Sequence, residues 1–257
     1  MSKYSKIYKV AAVSGCVMVA SCGGGGGTGE GLGGGGTTAE GVAFSGTAAR
    51  GQAMASAGIT VKCAGQTQAQ TRASNLGEYS IGLPSPAKFP CVVQASDSAG
   101  ALHVAVPSSA PGLPVNVTPL SDLQLRVAAG YSAAQYFDAF AAGNQNSVSS
   151  VRLGDAQRNV VDVFRPVVNL AGLPAFANAP LVAAVPALDL RGNAFDQLLD
   201  QIAASMKAKN LSMDSVFAML QAQGSGAVAA EMLWGQSGQG PVGTTPVPTP
   251  APTPTPT

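Results

Sequence analysis

The chain has 257 residues, enough for a sizeable core, yet charged side chains make up only 11% of it, against roughly 25% in ordinary globular proteins. Its 14 basic and 13 acidic residues nearly cancel and form no basic stripe, which argues against a nucleic-acid surface. One histidine, His103, and four cysteines without CxxC spacing leave no ligand set for a zinc site.

The N-terminal stretch carries a compartment signal. Lys3, Lys6 and Lys9 precede the apolar run Val10 to Ala20, the basic and hydrophobic regions of an export signal. That run is too short to cross a bilayer core of about 30 Å, and no later apolar segment is long enough to do so. Val19-Ala20-Ser21-Cys22 resembles the lipobox of bacterial lipoproteins. The resemblance implies a signal peptide over 1–21, acylation of Cys22 and attachment to a membrane through several acyl chains, since one chain holds only marginally. Gly23, rather than Asp, after that cysteine is similar to lipoproteins sent to the outer membrane, facing the periplasm or the cell surface. Val13-Ser14-Gly15-Cys16 also fits a loose lipobox, but cleavage there leaves only Val10 to Gly15 as the apolar run. An ordinary cleaved signal or an uncleaved anchor is the plainer alternative. Removing the signal takes away three lysines and no acid, so the mature chain turns slightly acidic.

Residues 22–40 read as a tether, because the glycines of Gly23 to Gly36 lose too much backbone freedom to order into helix or strand. Its root-mean-square span is roughly 20 to 25 Å and its full reach roughly 60 Å. The glycines do not form a phosphate cradle: no strand precedes them and no Lys-Ser or Lys-Thr follows.

From 41 to 118 short β-branched or alternating runs are punctuated by turn residues. Strands are predicted over Val42 to Ala48, Ile59 to Ala64, Thr67 to Arg72, Tyr79 to Leu83, Cys91 to Ala95, Leu102 to Val106 and Val115 to Thr118. Seven short strands in such a span predict an antiparallel β-sandwich or small barrel. Cys63 and Cys91 each fall in a strand, and in an oxidising compartment they are most simply a disulfide, two buried thiols being the alternative.

Gly46-Thr47-Ala48-Ala49, Ala57-Gly58-Ile59-Thr60-Val61 and the run from Thr71 through Asn75-Leu76-Gly77-Glu78-Tyr79-Ser80 resemble a carboxypeptidase regulatory-like, or transthyretin-like, β-sandwich. Arg72-Ala73-Ser74 stands where that family commonly has an acidic turn residue. The resemblance implies an accessory, adhesive or spacing module. Envelope lipoproteins of proteobacteria are similar in joining such a sandwich to a segment like Val115 to Leu123 and helices after it, which implies architecture and not activity.

At Thr118-Pro119 the apolar period changes from two to about 3.6, with Thr118 as N-cap and Pro119 at the first helical position. Over 119–224 helices are predicted from Pro119 to before Gly130, from the Ser132 cap to before Gly143, from about Asp155 to Arg165, after the Asn193 cap, and around Met213 to Leu220 with a stop near Gly224. In the Asn193-capped helix the inward stripe is Phe195, Leu198, Leu199, Ile202, Ala203 and Met206, with Asp196, Gln197, Asp200 and Gln201 outward. Residues 225–257 read as a Gly-rich exit, holding Trp234 as a docking anchor or an exposed side chain, and then an extended Pro/Thr tract. That tract is a spacer reaching through the cell wall or toward a partner, a carrier of O-glycans, or the mark of a shortened chain.

The predicted fold class is therefore α+β, a seven-stranded sandwich packed with short helices. Candidate chemistry is sparse. His103 with Ser96 or Ser98 and Asp97 could compose a nucleophilic triad, but no Gly-x-Ser-x-Gly elbow accompanies them and a structural histidine is the expectation. Asp196 and Asp200 could be an acid/base or metal pair, but a solvated face is expected. Tyr136, Phe137, Phe140 and Phe195 could line an apolar pocket, but core packing is expected. The sequence thus predicts a non-enzymatic, lipid-anchored envelope module with no cofactor and no metal, binding a protein or glycan. A carrier of an apolar ligand, or a hydrolase with an unusual site, is the alternative.

Overall fold

Alternating side chains give the longest strands one apolar face and one mixed polar and apolar face, and both have elements packed against them. The computed structural model describes residues 42–235 except 86, 109–111, 141 and 142; the signal segment, Cys16, Cys22, the glycine tether and the Pro/Thr tract lie outside them. Strands β1 (Ala43–Thr47) and β4 (Glu78–Gly82) form one antiparallel pair. Strands β2 (Gly58–Ala64), β3 (Thr67–Arg72), β5 (Lys88–Asp97) and β6 (Gly100–Val106) form a second antiparallel sheet in the order β3-β2-β5-β6.

On one face of the larger sheet, register aligns Ile59 with Ala95 and Leu102, Val61 with Val93 and Val104, and Cys63 with Cys91 and Val106. These rows share a core with Phe44, Tyr79 and Ile81 from the smaller sheet. A fully buried Val or Leu contributes roughly 1.5–3 kcal/mol, so these rows are the main source of sheet–sheet cohesion. Tyr79 donates its hydroxyl to the Val115 carbonyl at 2.5 Å, and burial pushes its phenol pKa up.

The fold is α+β, but the described residues contain six strands and not the expected seven. Val115 to Thr118 is an extended ribbon running parallel to the end of β1, with one bridge between Ala48 and Val117. Val115 and Val117 donate to Ser45 and Thr47 carbonyls, while Asn116 turns its N–H the other way, to Ala177. The ribbon cannot lengthen because Thr118 and Pro119 already start a helix.

Among the described residues six α-helices follow: α1 (Pro119–Ala129), α2 (Ala133–Asp138), α3 (Ser150–Phe164), α4 (Ala194–Ala208), α5 (Met213–Gln223) and α6 (Gly226–Trp234). Thr118, Ser132, Ser149, Asn193 and Ser212 each accept a backbone N–H at a helix start, satisfying donors that would otherwise lack partners. The first, second and fourth were the predicted caps. Helix α3 starts five residues before the predicted Asp155, and α6 was not predicted.

Helices α1 and α2 cover the other face of the larger sheet, where Val92 and Ala105 pack with Leu125, Tyr136, Phe137 and Phe140. Lys62 lies on this face too. Its ammonium donates to the Phe137 carbonyl at 3.0 Å and sits 4.0 Å from that ring's centroid, so the charge stays partnered. A third core joins Leu120 and Leu123 of α1 to α3, α4, α5 and α6.

Candidate functional site

His103 stands opposite Gln94 in the β5–β6 register, on the face that α1 covers. Placing a polar residue there demands partners, because an unpaired buried donor or acceptor costs about 1–3 kcal/mol. Asp122, one turn into α1, supplies most of them. Its Oδ1 accepts the His103 backbone N–H at 2.9 Å and lies 2.8 Å from His103 Nδ1, while its Oδ2 accepts Arg126 Nε at 2.6 Å. Gln94 Nε2 lies 3.0 Å from His103 Nε2. The Ser121 hydroxyl donates to the His103 carbonyl at 3.3 Å.

Arg126 continues the chain of charges to Asp214 at the start of α5. Burial works against the Arg126 charge, but the two carboxylates outweigh it and raise its pKa. The His103 and Asp122 side chains are 2% and 3% exposed. The network Gln94–His103–Asp122–Arg126–Asp214 therefore runs from the sheet through α1 to α5, and ties the β and α parts by directional bonds.

The triad partners raised by the sequence are not at this ring. Ser96 donates to the Gly58 carbonyl at 3.4 Å, Asp97 pairs with Arg50 at 3.5 Å, and Ser98 is exposed in the β5–β6 turn. The far ring nitrogen meets an amide where a serine hydrolase would need a hydroxyl.

Comparison with protein-family models, curated proteins and solved structures gave no match.

Asp196 is the clearest departure from expectation at a candidate residue: it was predicted to face solvent and is 1% exposed. The irregular span after Pro180 folds back over the start of α4, so that Ala184 N–H donates to Asp196 Oδ2 at 3.0 Å and Asn193 N–H donates to the Val182 carbonyl. Its Oδ1 is buried without a partner. Desolvation raises the Asp196 pKa, the Ala184 bond partly offsets this, and the Asp200 charge adds to it. Asp200 is exposed as expected, with its own pKa raised by partial desolvation. Ala203, placed in the inward stripe by its spacing, is exposed; Phe195, Leu199, Ile202 and Met206 are buried in the core, and Leu198 packs against it partly buried.

The four aromatics divide between two cores. Tyr136, Phe137 and Phe140 pack on the sheet, whereas Phe195 packs among the helices. Trp234 is half-buried at the end of α6, donating Nε1–H to the Val163 carbonyl at 2.6 Å and packing against Phe164. Cys63 and Cys91 are bonded across directly opposed positions of β2 and β5, with Cα atoms 4.0 Å apart.

Among the described residues no group of three or more His, Cys, Asp or Glu could hold a metal ion, and no helix is long and apolar enough to cross a membrane. A groove of about 440 Å³ lies between the start of α1, α4 and the turn into α5, with Arg50 among its lining residues.

Proposed function

We propose that this chain is a lipid-anchored protein of the bacterial envelope, held at the outer membrane by acylated Cys22 and presenting a non-catalytic binding or structural module on a glycine tether. The observation that carries the reading is the order of features in one chain. An export-and-acylation signature precedes the tether, and beyond it the two remaining cysteines, Cys63 and Cys91, are bonded in the body, chemistry that belongs to an oxidising compartment. In this reading the two sheets correspond to a carboxypeptidase regulatory-like sandwich, with the Val115–Val117 ribbon beside β1 in place of a seventh strand.

The engagement of His103 by Asp122 and Gln94 favours a structural role for the histidine. A second reading, a carrier of apolar ligands, is favoured by the groove beside α4.

Intact mass of protein extracted from membranes tests the anchor. The expected result is an N-terminus at Cys22 carrying added hydrocarbon, with a Cys22→Ala variant moving to the soluble fraction. A native N-terminus elsewhere, without added hydrocarbon, removes the envelope assignment.

A further inference from the structure

The groove beside α4 has a mostly apolar wall, and its polar lining residues are two cations, Arg50 and Lys207, and the neutral Asn210. Leu199, Ile202 and Met206 of α4 and Leu211 of the following turn supply the apolar wall; Arg50 and Lys207 are the charged residues lining it, and no acidic side chain lines it. Asp200, about one turn before Ala203, lies against Gly51 instead. The volume, about 440 Å³, falls within the roughly 300–1,000 Å³ of small-molecule sites.

Arg50 is incompletely satisfied. One terminal nitrogen donates to the Gly100 carbonyl at 2.9 Å and reaches Asp97 only at 3.5 Å; Nε is buried with no partner and so closed to a groove ligand, which leaves the terminal nitrogens of this partly exposed side chain to meet one. Guanidinium groups present several donors in a fixed fork that suits carboxylate and phosphate oxygens. Lys207 adds an exposed ammonium on the same groove.

We propose that this groove binds a single-chain amphiphile with an anionic head, its alkyl chain lying along α4 and its head held by Arg50 and Lys207. A carboxylate and a phosphate monoester satisfy the same donors, so a fatty acid and a lysophospholipid with a terminal phosphate are the two sources of that chemistry. The proposal rests on reading the body as a binding module and is independent of the anchor. It is therefore tested on the full chain carrying Cys22→Ala, where failure to bind an amphiphile leaves the membrane-fractionation result unaffected.

Dodecanoate and dodecanoyl lysophosphatidic acid, each below its micellar concentration, are titrated calorimetrically into that protein. At least one should saturate a single site, the tighter identifying the head. Arg50→Gln and Lys207→Gln should each weaken binding by about tenfold, the value of a charge-assisted hydrogen bond. Ala203→Trp, at an exposed position lining the groove, should abolish binding while leaving the circular dichroism spectrum intact; Ala218→Trp, exposed on α5, should leave binding unchanged. Saturation by neither anion, equal affinity for uncharged dodecyl maltoside, or binding that survives Ala203→Trp in a folded protein overturns the proposal.

Discussion

Asp122 accepts three hydrogen bonds, two from His103 and one from Arg126, and its side chain is 3% exposed. Removing it strands three donors in the seam between sheet and α1, and breaking a buried charge pair from one side typically costs about 3–5 kcal/mol. Asp122→Ala should therefore lower urea-unfolding stability by about that amount. Asp122→Asn, which keeps the shape but can accept on one oxygen only, should lose less. A loss under about 1 kcal/mol for the alanine variant would show that the network contributes little to joining the two halves. The sequence expects a structural histidine at 103, but the only partners it offers are Ser96 or Ser98 and Asp97, across the β5–β6 hairpin. Its actual partner arrives from a different element, and only the i, i+4 spacing of Asp122 and Arg126 hinted that this turn of α1 carries a charge pair. Asp196 was misread for a related reason: helical periodicity assigns a face, but it does not show a loop such as 180–193 folding over that face.

Element boundaries were most legible where local chemistry decides them. Strand β3 matches its predicted span, and Thr118, Ser132 and Asn193 cap as expected, since side-chain to backbone bonds within three residues need no tertiary partner. Helix α6 was hidden because its stability comes from docking. It is short, flanked by Gly224 and Gly235, and held against α3 by the approach of Gly226 to the Asn159 backbone. A Cβ at Gly226 would stand 2.1 Å from the Asn159 carbonyl oxygen, so Gly226→Ala must push the two helices apart. The expected loss is about 1–3 kcal/mol, as for other overpacked positions. Trp234 is the one tryptophan of the chain and rides on α6, so its emission reports the docking directly. A red shift should accompany the lost stability; unchanged emission and stability would mean that α6 does not depend on this contact.

At the scale of the whole body, α1 serves two cores at once, giving Leu120 and Leu123 to the helical side and Leu125 and Ala128 to the side that rests on the sheet. The His103–Asp122 bonds add directional links across the same seam. Such shared packing makes separate melting of sheets and helices unfavourable, so the body should unfold in one cooperative step. The Cys63–Cys91 bond, which spans 28 positions along the chain within the larger sheet, then stabilises all of it. On the chain-entropy model this bond contributes roughly 3–4 kcal/mol. With about 2–4 °C of midpoint per kcal/mol for a body of this size, the double variant Cys63→Ala/Cys91→Ala should melt roughly 6–16 °C lower in calorimetry. The transition should remain single, and reductant should shift the parent protein toward the variant while leaving the variant itself unmoved. A transition that splits, with the helices melting at the parent temperature, would show that α1 does not couple the two halves. An unshifted midpoint would show that the bond constrains little that the strand pairing had not already fixed.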